Sequence, residues 1–486
     1  MTGASNLLRT LIVYSVVLPL ALIIGYAMAT PMDFTTWLLL AIVLCLLCTP
    51  LLLKFHRPML FLFWNTTTVV FFLPGRPQLW ILLAGASLMI VIFQRTLVRD
   101  MRFTSVPSLL WPLAFLAVVI IMTAKLRGGF GLASFGDSLG GGRRYLTMLV
   151  AMGGFLAMVS TRIPLQRAML YTGLFFLGSL MNAIGALVNY VTPSFYWIFL
   201  FFPVDSLPGQ GGGAVGRSFG MTLAALGVCF YLLARFGFRG VFFSGRLWRL
   251  LLFAGAMLVT MMGGYRSYFI VLALTAFFMA YHEGLFTSKY VIVFVLGGLL
   301  GLALIIPLAT RLPLPIQRTI SVLRIPVTPQ AEEDARVSTE WRLRMWETLL
   351  PEVPKYFWLG KGMSIDVRDF VVTRDLTAGN VDRAFEGAKM AGDFHNGPLT
   401  VLINFGVWGA IGWVWFLIAS TRALHRNFLY GEAALKSVNA LILAYYLARI
   451  INYFLIFGSF HTDVPIFIGI AGLSIALNGG IARPAN

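Results

Sequence analysis

The sequence predicts an all-α polytopic membrane protein, with twelve to fourteen transmembrane helices and one large loop on the outer face. Three observations carry that prediction. Of 486 residues, 59% are hydrophobic and 12% charged, and the mean hydropathy is +0.84. Ordinary soluble domains are about 25% charged, so a water-soluble enzyme is excluded. The apolar residues also fall into runs near the roughly 20 that a helix needs to cross a bilayer. Finally, the net charge of +18 comes from 37 Lys or Arg and 19 Asp or Glu. It is scattered through short loops between the apolar runs, rather than gathered into a nucleic-acid-binding patch. That scatter is how polytopic proteins orient themselves.

Taken in order, the candidate spans lie near 10–28, 35–53, 59–75, 79–94, 108–124, 145–160, 169–191, 217–235, 247–264, 266–282, 289–310, 397–420, 437–456 and 464–479. No small-residue cleavage site follows the first run, which is read as a retained span. The third is weak, because Asn65, Thr66, Thr67 and Thr68 interrupt it, and the fourth, sixth and last are short. The Asn65-Thr66-Thr67 glycosylation pattern means nothing inside a span. Cys45 and Cys48 form a C-x-x-C pair among leucines with no second pair, so they and Cys229 are read as packing or lipid-facing residues. Gly297-x-x-x-Gly301 reads as helix packing.

Placing the N-terminus in the cytoplasm puts seventeen Lys or Arg in the inner loops and seven in the short outer loops and helix ends. Both termini are therefore expected inside. The chain divides into spans over 1–310, a polar segment over 311–396, and C-terminal spans over 397–486. The middle segment holds twelve acidic and twelve basic residues and falls on the outer face, which in a bacterium is the periplasm. Within it Val337, Trp341, Met345 and Leu349 recur every four residues. That spacing predicts an amphipathic helix on the membrane surface, with Trp341 and Trp346 as interfacial anchors and Pro351 and Pro354 ending it. On this geometry Trp341 and Met345 face lipid and Arg342 faces inward, unless Arg342 merely pairs with Glu347 or a loop carboxylate. Outer loops 128–142 and 204–216 are rich in glycine.

The chemistry concentrates on that face. Arg217 and Arg266 each stand where an apolar helix begins, although cations prefer the other end of the helix dipole. Two such placements imply an outside anion, against the alternative of snorkelling interfacial arginines. His395, in Asp393-Phe394-His395-Asn396, precedes the helix opening at Gly397 and so lies at the same level. Imidazole exchanges a proton near neutral pH, which suits a general base as well as a structural role. Arg449 lies within an apolar run, where a charge costs at least about 2.5–3.5 kcal/mol, and must either pair or contact a ligand. Asp33 is a solitary outer carboxylate. The glycines of 211–216 lack the Lys-Ser/Thr and preceding strand of a phosphate loop. Neither a Cys/His cluster nor a D-x-D pair indicates a metal, and no cofactor is expected.

Three stretches carry a family resemblance: Gly216-Arg217-Ser218-Phe219-Gly220, Gly263-Gly264-Tyr265-Arg266-Ser267, and a longer third. That third runs from Glu340-Trp341-Arg342-Leu343-Arg344-Met345-Trp346 through Trp358-Leu359-Gly360-Lys361-Gly362 to His395-Asn396 and Phe405-Gly406-Val407-Trp408-Gly409. Together, over about 205–420, they resemble the O-antigen ligase and polymerase superfamily, bacterial inner-membrane glycosyltransferases of the GT-C type. One departure is that Met221-Thr222-Leu223 stands where many members have an Asn-Pro pair.

The resemblance implies a donor glycan on undecaprenyl diphosphate, with the diphosphate held by Arg217 and Arg266. His395 would be the base for an acceptor hydroxyl, in an inverting, metal-independent transfer. Arg342, Asn396 and Arg449 are possible secondary contacts. The acceptor is lipid A-core for a ligase, another lipid-linked glycan for a polymerase, or a protein serine for a third group of relatives. A polysaccharide transporter is the rival class, and would place its ionisable groups near the bilayer midplane.

Overall fold

The computed structural model describes residues 34–73, 75–97, 104–128, 141–191, 193–204, 217–363 and 380–484, with a few positions between 14 and 25. The first expected span lies largely outside these residues. So do Asp33, most of both glycine-rich loops, and the side chains of Cys45 and Cys48.

The described chain is built from helices, with one isolated β-bridge, Val69 to Gln78. They are α1 (Phe34–Phe63), α2 (Leu79–Leu97), α3 (Pro107–Arg127), α4 (Gly141–Val159), α5 (Leu165–Leu177), α6 (Asn182–Val191), α7 (Phe219–Phe242), α8 (Leu247–Met262), α9 (Arg266–His282) and α10 (Tyr290–Leu308). Next come α11 (Leu314–Ile320), α12 (Pro329–Leu349) and α13 (Asn380–Met390), and then α14 (Gly397–Tyr430), α15 (Lys436–Ile451) and α16 (Phe460–Asn478). Among the described residues, eight helical segments are long and apolar enough to cross a membrane. The protein is a multi-pass, all-α membrane protein. The expected spans at α4, α8 and α9 form helices that are shorter or more polar, and α8 lies against α7 with most of its apolar side chains exposed.

The third expected span is not a helix of its own. α1 runs unbroken through Pro50 and Pro58 to Phe63, and the chain then turns. Asn65 Nδ2 donates to the Phe175 carbonyl at 2.8 Å, and the Thr67 N–H donates to Asn182 Oδ1 at 2.7 Å. Short polar side chains thus give the backbone partners outside a helix. The Asn65-Thr66-Thr67 triplet is therefore a built turn rather than an accident of a span.

The core lies along α14, α15 and α16, where Trp413, Tyr453, Phe460 and Phe467 meet ring to ring. α10 is the reverse case, with none of its residues buried. A Cβ added at Gly297 or Gly301 would meet nothing within 4 Å, so the helix-packing expectation there is corrected. Within the described residues that face is left uncovered.

The polar segment folds onto the bundle as α11 to α13. Its apolar stripe does not rest on lipid, as expected from the spacing. Met345 and Leu349 are buried with Phe385, Phe394, Leu399 and Ile403, and Trp341 and Trp346 pack against that cluster. α13 and the start of α14 supply the apolar partner that the spacing alone assigns to the membrane.

Candidate functional site

One cavity of about 940 Å³, within the size range of ligand pockets, lies where the polar segment roofs the bundle. α2, α4, α7, α9, α14 and α16 all begin beside it. Helix N-termini carry orphan N–H groups and partial positive charge, and neither Ser218 nor Tyr265 caps α7 or α9 with its side chain. Uncapped helix starts of this kind favour an anion, while α1 and α15 end beside the same cavity.

Arg217 and Arg266 both line the cavity, as do Arg342, His395 and Arg449. Arg217 Nη2 lies 3.3 Å from Asp334 Oδ2 on α12. The buried Arg318 of α11 makes an ion pair with the same carboxylate and donates to the Gly264 carbonyl. Asp334 therefore ties α11, α12 and the start of α7 together. Arg266 donates to the Ala335 carbonyl at 3.0 Å and to Thr339 Oγ1 at 3.2 Å, so α12 also fixes the start of α9.

Arg342 faces the cavity, with its guanidinium carbon 5.5 Å from the Phe457 ring centre. No carboxylate pairs with it among the described residues, so the expected alternative of a Glu347 pair does not form. Burial, then the charges of Arg266 and Arg217, lower its pKa to about 10. Burial and the charge of Arg217 lower Arg318 to about 10 as well, despite Asp334. Both remain charged at neutral pH, in a cluster that repels itself and that an anion would relieve.

His395 is held in the left-handed region at φ 52°, a conformation that a non-glycine residue keeps only when its surroundings fix it. Here Trp341 and Phe457 rings stand 4.9 and 4.8 Å from the imidazole on crossed planes. Trp341 is thus a wall of the site and not an interfacial anchor. His395 Nδ1 lies 3.3 Å from the Asp393 carbonyl and 3.4 Å from its carboxylate. Burial pushes the Asp393 carboxyl up, but the His395 hydrogen bond and charge, the charge of His461 and the Ser459 hydroxyl outweigh it and hold Asp393 below the usual carboxylate range.

Asn396 is not a cavity residue. Its Oδ1 accepts the Leu399 N–H at 3.0 Å and caps α14, the ordinary work of Asn at that position. Arg449 makes a buried ion pair with Asp463, in the first turn of α16. The pair lines the same cavity as the other charges, where α15 ends and α16 begins. Among the described residues, no group of three His, Cys, Asp or Glu is placed to hold a metal.

Several lining residues are not singled out by the sequence: Arg143, Arg144, Arg318, Asp334, His461 and Asp463. Arg143 and Arg144 carry the same signal as Arg217, being cations in the first turn of a helix. The others are joined only by the fold. No known protein family and no curated protein matches the chain.

Proposed function

We propose that this chain is a membrane glycosyltransferase of the O-antigen ligase kind, moving a glycan from undecaprenyl diphosphate to an acceptor hydroxyl on lipid A-core at the periplasmic face. The observation that carries the reading is a histidine fixed between two aromatic rings in the same cavity as Arg217, Arg266 and Arg342. The acceptor oxygen attacks the anomeric carbon from the face opposite the leaving group, and its proton passes to His395. With Nδ1–H turned toward Asp393, Nε2 is the base. The bond from the anomeric carbon to the phosphate oxygen breaks, configuration inverts, and the charge gathering on the diphosphate meets fixed guanidinium groups. Carriers hold their polar groups near the midplane, whereas the charged groups here gather where the helices begin.

The test is transfer by purified protein in lipid nanodiscs, supplied with lipid-linked glycan and acceptor. His395→Ala should stay folded and lose about 10²-fold or more in rate, the contribution of a positioned base. A variant that keeps most of the wild-type rate would remove His395 from the mechanism. Arg217→Lys and Arg266→Lys should retain weak activity, since lysine keeps the charge but not the bidentate fork.

A further inference from the structure

Charge balance leaves a second cationic patch in the cavity. Seven arginines line it against three aspartates. Arg449 and Asp463 compensate each other, and Asp334 is shared by Arg318 and Arg217. Arg217, Arg266 and Arg342 form the wall assigned to the donor diphosphate. That leaves Arg143 and Arg144, with Asp393 already engaged by His395.

These two arginines belong to the first turn of α4, whereas the donor wall is built from the starts of α7 and α9 and from α12. The charged neighbours of Arg342 are Arg266 and Arg217, whereas Arg144 senses Asp393. Among the described residues Arg144 makes no hydrogen bond or ion pair, and Arg143 donates to the Arg76 carbonyl at 3.2 Å. That bond places them beside Gln78, whose Oε1 accepts from Trp80 while Nε2 has no partner among the described residues. Asn65 likewise uses its amide nitrogen on the Phe175 carbonyl, and it lines the cavity. Unspent amide groups beside two guanidinium groups suit a sugar that carries a negative charge.

We propose that Arg143 and Arg144 bind an anionic group, a phosphate or a carboxylate, on the acceptor sugar whose hydroxyl faces His395. Donor and acceptor then meet at the histidine from two separate arginine patches, which also keeps their negative charges apart. The proposal rests on the donor reading only for what occupies the first patch.

The test uses the full chain in nanodiscs, saturated with farnesyl diphosphate to fill the donor patch, then titrated with glucose 6-phosphate, glucuronate or glucose. One or both anionic sugars should bind at least about tenfold more tightly than glucose, the factor expected for a charge-assisted hydrogen bond. Whichever sugar binds tells phosphate from carboxylate. R143Q/R144Q should abolish the preference without changing farnesyl diphosphate affinity, and R144K should restore part of it. The proposal is overturned if neither anionic sugar outbinds glucose, if the preference survives R143Q/R144Q, or if the sugars displace farnesyl diphosphate. Unchanged farnesyl diphosphate affinity in R217Q/R266Q would instead sink the donor reading, and the sugar titrations repeated without that lipid would still judge the second patch.

Discussion

Arg449 and Asp463 are 5% and 2% exposed, and Asp463 also accepts the Ser459 N–H at 2.9 Å. The carboxylate has its partners, and removing it strands a buried guanidinium. Breaking such a pair from one side costs about 3–5 kcal/mol, while replacing both members by apolar residues of similar size is often neutral. Asp463→Asn should therefore lower the melting temperature of the detergent-solubilised protein sharply, and Arg449→Met with Asp463→Leu should restore most of it. A single variant that melts like wild type would show that the pair contributes nothing. The restored double variant settles what sequence left open, since the pair also borders the cavity. If Arg449 contacts substrate, the double variant folds but transfers glycan poorly. Asp334 poses a different case, because two arginines share it. Asp334→Asn should raise the donor KM about tenfold or more through a loosened Arg217, with a smaller effect on kcat. A change in kcat alone would contradict that positioning role.

At the scale of the helix, hydropathy finds the apolar segments but not their interruptions. α14 is legible from its apolar run, yet it is kinked at Gly406, where φ is 67°. A Cβ there would lie 2.8 Å from the carbonyls of Phe357 and Trp358. The kink frees the Ile403 and Asn404 carbonyls, which accept the N–H groups of Lys361 and Gly362 at 2.6 and 2.9 Å. Thus the Leu359-Gly360-Lys361-Gly362 turn, visible in the sequence as a motif, is the part that docks the polar segment onto α14. Its partner lies some forty residues away, and no local pattern reveals it. Gly406→Ala should cost about 1–3 kcal/mol for a backbone conformation that is essentially glycine's alone, and more for the carbonyl clash. The loss should appear as a lower melting temperature and a larger aggregated fraction on size exclusion. Wild-type stability in that variant would mean the kink can relax without penalty. α12 teaches the same lesson from the other side. Its four-residue stripe is legible, but whether lipid or protein covers it depends on α13, and the stripe is silent on that.

For the molecule as a whole, the legible part of the site is the part that violates a local rule. Arg217 and Arg266 stand out because a helix start disfavours a cation, and His395 because it precedes such a start. Arg318, Asp334, His461 and Asp463 break no local rule and acquire meaning only when several helix N-termini are brought to one cavity. Their convergence makes a global prediction. Seven arginines against three aspartates give this cavity a positive field, and the folded state holds that cluster together against its own repulsion. An anion that binds the folded state alone stabilises it by RT ln(1 + [L]/Kd), about 2.7 kcal/mol at a hundredfold excess over Kd. Inorganic pyrophosphate should therefore raise the melting temperature by a few degrees. Sodium chloride at matched ionic strength should raise it less, because it screens the repulsion without occupying the site. R217Q/R266Q loses its ties to α12 and should start from a lower melting temperature, and it should also lose most of the pyrophosphate increment, since those side chains reach the anion directly. An equal increment in that variant would locate the anion elsewhere and remove these two arginines from the site. An absent increment in the wild-type protein would mean that the convergent helix starts and the arginines do not form an anion site at all.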